Sequence, residues 1–231
     1  MRSSSDRLVM AARLLCVATV AALRLGAQDT SGVRTAATSN RNLWQVGALV
    51  GVARNSPNDG LLGTIPHRDL FMLGLQAGTP ILRLGAVRVN YFAQVIPLVV
   101  IMDRAAPAYN PYLDANGIAR LPERSYAVGF SPFGLEVVAP LWRRAAIFAA
   151  SSGGGLIFTQ KFPDVTGRRT NFTLEAGGGV RIRVGATQWA QLGYKYHHIS
   201  NAGTAFANPG LDGNILYAGY QWAVRDRKSV V

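Results

Sequence analysis

The sequence predicts an all-β protein, an eight-stranded antiparallel up-and-down transmembrane β-barrel. Three observations support this fold class. Eight segments alternate between large apolar side chains and small or polar ones. Their number is even, and the connections between them alternate between long and short. All four tryptophans lie at the end with the short turns, where a barrel would meet one membrane–water interface: Trp44, Trp142, Trp189 and Trp222.

The predicted barrel domain covers residues 42–222. Its strands are expected at about 44–53, 70–81, 86–100, 125–138, 144–158, 171–183, 187–200 and 213–222. Pro132 is expected to break the fourth strand, because proline cannot donate a ladder hydrogen bond. The 25 glycines suit a narrow barrel whose lumen has room only for side chains.

One face of the predicted strands carries polar side chains. These residues are Arg88, Gln94, Glu175, Arg181, Arg183, Gln191, Lys195 and Gln221. In a membrane barrel they would pair inside the lumen, whereas in a soluble β-sandwich or lipocalin-like barrel they would form the surface. The common end of the tryptophans and the export signal described next favour the membrane barrel, with its short turns in the periplasm.

Residues 1–27 are predicted to be a secretory signal peptide. Three arginines precede an apolar run over 14–23 that is too short to span a bilayer, and small residues follow at the end of the segment. The alternative is a buried N-terminal helix, and Arg24 within the late apolar part is the main observation against a signal. Residues 28–41 are polar and are expected to form a flexible lead.

The bulk composition limits the function classes. The 231 residues suit one domain, or at most two small ones. The single cysteine, Cys16, lies in the predicted signal, so the exported protein is expected to have no disulfide and no thiolate metal site. The net charge is +12, but there is no lysine-rich run or nucleic-acid-binding module, so nucleic acid is not an expected partner.

The seventh predicted strand carries the candidate catalytic residues. His198 and Ser200 are two residues apart and therefore share one face of a strand. Leu192 lies on the same face, which is expected to point toward lipid. Asp212 follows a turn-rich segment at 208–210 that would bring its carboxylate alongside. A hydroxyl, an imidazole and a carboxylate gathered in this way are the parts of a catalytic triad.

In that triad each residue has a predicted role. Ser200 is the nucleophile, His198 is the general base and Asp212 orients the imidazole. Asn201 is the candidate donor to the oxyanion. The alternative is that these side chains lie above the hydrocarbon, among hydrated headgroups, and have no catalytic role. A polar trio on a lipid-facing surface is costly without a purpose, which favours the catalytic interpretation.

The motif His198-Ile-Ser200-Asn201-Ala-Gly, followed by Asn208-Pro209-Gly210-x-Asp212, resembles the lipid A 3-O-deacylases, the PagL family of outer-membrane enzymes. The resemblance is specific over about 187–222, and upstream it is one of pattern and topology. It implies hydrolysis of the ester that links the 3-position acyl chain to lipid A, a component of lipopolysaccharide. The substrate would lie in the outer leaflet of the cell outer membrane, beside the barrel.

The resemblance also implies the site. His198 corresponds to the family's catalytic histidine, Ser200 to its nucleophile and Asn201 to an oxyanion-hole candidate. The family has a glutamate where this chain has Asp212, whose side chain is one methylene shorter. A second departure is the polar C-terminal tail, residues 223–231, because membrane barrels usually finish on an aromatic residue.

No cofactor or metal is implied. The three histidines have no ligand spacing for a metal, and His197 is expected to face the lumen in a structural role. Two glycine clusters, Gly153–Gly155 and Gly177–Gly179, are expected to allow sheet curvature and not to bind phosphate.

Basic side chains in the long loops either contact the phosphates of lipid A or form an ordinary solvated surface. They are Arg54, Arg68, Arg104, Arg120, Arg124, Lys161, Arg168 and Arg169.

Two other functions remain open from the sequence. The first is a non-catalytic barrel that serves as an adhesin, an envelope stabiliser or a small pore, although a glycine-filled lumen does not favour a pore. The second is an esterase that acts on another lipid, such as a phospholipid. The sequence does not decide between a monomer and a homodimer.

Overall fold

The computed structural model describes residues 43–58, 60–104, 124–163 and 166–225. The predicted signal peptide, the predicted flexible lead and residues 226–231 of the predicted tail lie outside this part of the chain. The strands are β1 (Leu43–Ala53), β2 (Arg68–Leu84), β3 (Val87–Asp103), β4 (Arg124–Trp142), β5 (Ala145–Phe162), β6 (Arg168–Arg183), β7 (Gln188–Ser200) and β8 (Leu211–Arg225).

These strands form a closed antiparallel barrel in which each strand pairs with its neighbours in sequence and β1 pairs with β8. The predicted fold class is confirmed. The connections β2–β3, β4–β5 and β6–β7 are short and share one end, which we call the periplasmic end because bacterial outer-membrane barrels have their short turns there. The long connections share the other, extracellular end. Among the described residues, no helix has the length and apolar character needed to cross a membrane.

Prolines within the strands coincide with irregular pairing. Pro80, Pro97, Pro132 and Pro140 each lie at or within a register shift between neighbouring strands. Proline has no N–H for the ladder, and a bulge is one of the few sheet positions that tolerates it. The predicted break at Pro132 is such a shift, between Phe130 and Phe133, and β4 continues past it to Trp142.

The periplasmic half of the lumen contains paired polar side chains, among them the predicted Arg181 and Gln191. Arg181 Nη2 lies 2.6 Å from Glu136 Oε1, and Asn90 Nδ2 donates to Glu136 Oε2 at 2.8 Å. Gln191 Oε1 accepts a further hydrogen bond from Arg181 at 3.2 Å. This pairing inside the barrel confirms the membrane-barrel interpretation of the polar face, because in a soluble barrel these groups would form the surface.

The extracellular half of the lumen is filled by apolar side chains, which the sequence pattern did not predict. The buried cluster includes Met72, Ile96, Val99, Leu156, Phe158, Ile199 and Ile215, and Ile65 from the β1–β2 connection. We call this cluster the apolar plug. It separates the polar half of the lumen from the extracellular end.

The four tryptophans all lie at the periplasmic end, as predicted, but their side chains do not all point the same way. Those of Trp44, Trp142 and Trp222 are exposed on the outside. Trp189 instead pairs with Arg183 across β6 and β7, and the guanidinium carbon lies 4.7 Å from the ring centroid. β8 extends to Arg225, so the predicted start of the tail at residue 223 is three residues too early.

Candidate active site

The alternation of side chains along β7 separates two adjacent histidines. His197 is buried on the luminal face, and His198 lies on the outer face with Leu192 and Tyr194. Ser200, the last residue of β7, has the same parity as His198. Both residues therefore lie on the outer face near the extracellular end, as predicted.

The acid predicted to orient His198 is its direct cross-strand neighbour. His198 and Asp212 are Cα partners in the β7–β8 ladder, and His198 Nδ1 lies 2.7 Å from Asp212 Oδ1. Aspartate is therefore long enough to reach the imidazole. The side chain of Asp212 is only 2% exposed and that of His198 is 13% exposed. The pair is thus shielded from water although it stands on the outside of the barrel.

The shielding comes from the β1–β2 connection, which no sequence pattern links to the site. The backbone N–H groups of Leu62 and Gly63 each donate to Asp212 Oδ2 at 2.9 Å. Together with His198 they satisfy both carboxylate oxygens. Hydrogen bonds of this kind complement a negative charge on the carboxylate.

Three glycines are required for this close approach. A Cβ on Gly60 would lie 2.1 Å from Asp212 Oδ2, and one on Gly63 would lie 2.8 Å from Asp212 Oδ1. Gly210 has a φ of +64°, and a Cβ there would lie 2.8 Å from Cε1 of His198. We call these three residues the glycine cradle. Gly60 and Gly63 lie in a loop whose sequence has no regular alternation of apolar and polar residues. Their role beside Asp212 is therefore visible only in the structure.

Backbone hydrogen bonds fix the β1–β2 connection to the β7–β8 connection. Thr64 N donates to the carbonyl oxygen of Pro209 at 2.8 Å, and Ile65 N donates to that of Gly210 at 3.0 Å. Thr64 Oγ1 donates to the same Pro209 oxygen at 2.8 Å. The loop that covers Asp212 is therefore hydrogen-bonded to the turn that directly precedes Asp212 in the sequence.

Ser200 lies on the same face of β7 as His198, two residues farther along the strand. Within the described part of the chain, no hydrogen bond connects Ser200 Oγ with His198. With Nδ1 of His198 donating to Asp212, the unprotonated Nε2 is the nitrogen available to accept a proton from Ser200. Catalytic hydrogen bonds of this kind are often long before substrate binds.

The side chain of Asn201, the predicted oxyanion donor, is hydrogen-bonded within the β7–β8 connection. It is 1% exposed, its Nδ2 donates to the Ala207 carbonyl oxygen at 2.7 Å, and its Oδ1 accepts from Gly203 N at 3.0 Å. Both ends of its carboxamide thus organise the β7–β8 connection. Asn208 is exposed, and its Oδ1 accepts from Asn201 N at 3.0 Å. That bond holds the Asn208 carboxamide next to the backbone of Ser200.

A second histidine–carboxylate pair lies inside the barrel. His197 Nδ1 is 2.6 Å from Glu175 Oε1, and Lys195 Nζ is 2.9 Å from the same oxygen. Ser152 Oγ donates to Glu175 Oε2 at 3.0 Å. Among the described residues, no three histidine, cysteine, aspartate or glutamate side chains form a group that could hold a metal ion.

The family model for lipid A 3-O-deacylase (PagL) matches residues 89–221, more than half of the 231 residues. The chain belongs to the lipid A 3-O-deacylase (PagL) family. The matched region includes β7 and most of β8, and with them His198, Ser200 and Asp212. Among curated proteins, none matches the chain significantly.

Several solved structures have a similar fold. The outer-membrane enzyme PagL superposes with a TM-score of 0.51 at 17% identity, covering 76% of this chain and 97% of that chain. Neisserial surface protein A gives a TM-score of 0.48 at 15% identity, covering 78% and 96%. Ail of Yersinia pestis gives 0.44 at 8% identity, covering 80% and 99%. The fold and the family group this chain with outer-membrane β-barrel proteins.

Proposed function

We propose that this protein is an outer-membrane esterase that removes the 3-O-linked acyl chain of lipid A by a Ser-His-Asp mechanism. The observation that carries the proposal is the hydrogen-bonded pair of His198 and Asp212, 2.7 Å apart on the outer face of the barrel and two residues from Ser200. Family membership supports lipid A as the substrate.

In the proposed acylation step, Ser200 Oγ attacks the carbonyl carbon of the ester and His198 Nε2 takes the hydroxyl proton. The tetrahedral intermediate collapses, and His198 gives the proton to the 3-oxygen of the leaving sugar. Asp212 stays ionised, accepts the Nδ1–H bond and stabilises the imidazolium. The acyl chain is then attached to Ser200 as an ester.

Deacylation repeats these transfers with water. His198 takes a proton from a water molecule, whose oxygen attacks the acyl-enzyme, and the fatty acid leaves as Ser200 regains its proton. The outer-face location suits this substrate, because the ester bond of a lipid lies in the leaflet beside the barrel. The apolar plug does not favour the alternative of a pore.

For the oxyanion we assign Asn208 in place of Asn201. Its Oδ1 is used by Asn201 N, so its Nδ2 group points away from that bond. An amide donor held in this way stabilises the negative oxygen of the tetrahedral intermediate. Asn201 supports this role by holding the loop and orienting Asn208.

The test is to express the protein in a bacterium with ordinary lipid A and to measure the lipid by mass spectrometry. We expect the mass to fall by one hydroxyacyl chain. Ser200→Ala should abolish the change while the barrel still folds, as judged by heat-modifiable migration on gels. Unchanged lipid A from well-folded wild-type protein would support a non-catalytic barrel.

A further inference from the structure

A basic cleft lies at the extracellular end between the β5–β6 and β7–β8 connections. It has a volume of about 570 Å³ and is lined by Lys161, Gly167, Arg168, Arg169, Ala205 and Phe206, among others. We call it the rim cleft. None of the described residues that line it carries a carboxylate. The cleft therefore combines positive charge with the apolar ring of Phe206, which is 98% exposed.

The two arginines of the rim cleft are held in defined orientations. Arg168 Nε donates to the Thr204 carbonyl oxygen, and Arg169 Nε donates to the Phe158 carbonyl oxygen at 3.0 Å. Each bond uses the inner nitrogen of the guanidinium, and no ion pair joins either arginine to a carboxylate among the described residues. The terminal nitrogens of each guanidinium form the planar fork that binds phosphate oxygens in pairs.

The rim cleft lies beside the proposed nucleophile. Ser200 is the Cα partner of Phe172 on β6, and Arg169 is three residues farther along β6 toward the extracellular end. At the rise of a β-strand this separation is roughly 10 Å. Arg168 contacts Thr204, in the same connection that begins directly after Ser200. An anion in the cleft would thus lie above the ester, toward the headgroup level of the outer leaflet.

We propose that Arg168 and Arg169 bind a phosphate group on the lipid A headgroup and so position the 3-O-ester at Ser200. The inference rests on the proposed function, because lipid A joins phosphate groups and ester-linked acyl chains on one sugar backbone. Phe206 contacts the apolar region next to the bound headgroup. The enzyme should therefore prefer phosphorylated substrates.

The experiment compares wild-type protein with the double variant Arg168→Gln/Arg169→Gln on lipid A and on lipid A whose phosphates have been removed. Both substrates are presented in neutral detergent micelles, and release of the acyl chain is followed by mass spectrometry. On phosphorylated lipid A the variant should lose about 10–100-fold in kcat/KM, mainly through KM, since charge-assisted hydrogen bonds are lost. On dephosphorylated lipid A the two proteins should differ little.

Two control variants sharpen the test. Arg104→Gln removes one positive charge from the same end of the barrel. Arg104 directly follows β3, and its Nε lies 3.4 Å from Asp69 Oδ2. It should leave the preference for phosphorylated lipid unchanged. Arg169→Lys keeps the charge but lacks the fork, so it should lose part of the preference.

Several outcomes would overturn the inference. Equal losses of kcat/KM by the double variant on both substrates would mean that the arginines only support the loop. A loss of phosphate preference in Arg104→Gln as large as in the double variant would mean a general effect of positive charge. Inhibition of the wild-type protein by inorganic phosphate, without a preference for phosphorylated lipid, would mean that the cleft takes a free anion and not the headgroup.

The proposed function can fail separately. If wild-type protein deacylates neither substrate, the esterase proposal is wrong, and the rim cleft is then tested by binding. In that case Ser200→Ala protein should retain phosphorylated lipid A more strongly than dephosphorylated lipid A, and the arginine double variant in the same background should not. Equal retention would overturn the cleft proposal as well.

Discussion

Two adjacent histidines on β7 each bind a carboxylate through Nδ1, at nearly the same distance. His197 lies 2.6 Å from Glu175 inside the barrel, and His198 lies 2.7 Å from Asp212 outside it. Their surroundings differ. Glu175 of the inner pair also accepts hydrogen bonds from Lys195 and Ser152. Asp212 of the outer pair instead accepts hydrogen bonds from backbone N–H groups of the β1–β2 connection.

The proposed mechanism gives these two pairs different roles, although each joins a histidine to a carboxylate. Nε2 of His197 is buried and has no hydrogen-bond partner in the described residues, so no substrate reaches it. His198 is on the outer face with a hydroxyl two residues away. We infer that access from the lipid leaflet, not the pair itself, separates a structural histidine from a catalytic one.

The largest expected effect separates the two histidines. His198→Gln should lower the rate of lipid A deacylation by about 10⁴-fold or more, because Ser200 loses its general base. His197→Gln is the matched control and should stay within a few-fold of wild type once the folded fraction is taken into account. Deacylation rates measured by mass spectrometry on purified, folded protein would reveal the difference, and similar losses in both variants would contradict the comparison.

A smaller effect is expected at the oxyanion position. Asn208→Ala should reduce kcat by about 10²–10³-fold with little change in KM, since the lost hydrogen bond forms only in the transition state. Asn201→Ala should instead increase protease cleavage within the β7–β8 connection, because its carboxamide holds that loop. Steady-state kinetics together with limited proteolysis would test both, and a loss of kcat confined to Asn201→Ala would return the assignment to that residue.

The glycine cradle should give the next effect. Gly63→Ala adds a Cβ at 2.8 Å from Asp212 Oδ1, so the carboxylate or the loop must move. A displacement of about 1 Å in a catalytic group can cost about 10²-fold in rate. Gly153→Ala is the control, because its added Cβ would meet nothing closer than 3.8 Å. Equal activity of the two variants would show that the cradle does not set the position of Asp212.

The smallest effect on catalysis is expected from the inner pair. Glu175→Gln should leave the deacylation rate of folded protein nearly unchanged but lower the free energy of unfolding by about 3 kcal/mol, because Lys195 and His197 lose a buried partner. Urea unfolding in lipid vesicles measures the change. A large loss of deacylation at full stability would mean that the inner pair takes part in catalysis.

Much of the outer site follows from local rules. Strand alternation predicts that His198 and Ser200 share the outer face, and the turn at 208–210 predicts that Asp212 returns beside them; both placements agree with the structure. The backbone donors of Leu62 and Gly63 are separated from Asp212 by 150 and 149 residues in sequence. No local pattern reports such a contact.

The apolar plug could not be predicted for a different reason. Where both faces of a strand are apolar, alternation disappears from the sequence. In β5, Leu156 and Phe158 are fully buried in the lumen while Ile157 between them is 56% exposed on the outside. All three are large apolar residues, so inward and outward positions look alike.

The attachment of the β1–β2 connection to Asp212 also bears on assembly. The carboxylate gains its backbone donors from the first hairpin only when that hairpin reaches the last one across the β1–β8 seam. A partly inserted chain with an unzipped seam would lack the donors and carry no competent enzyme. Under the proposed mechanism, lipid hydrolysis would begin only once β1 and β8 have paired, so deacylation would also report that the barrel has closed.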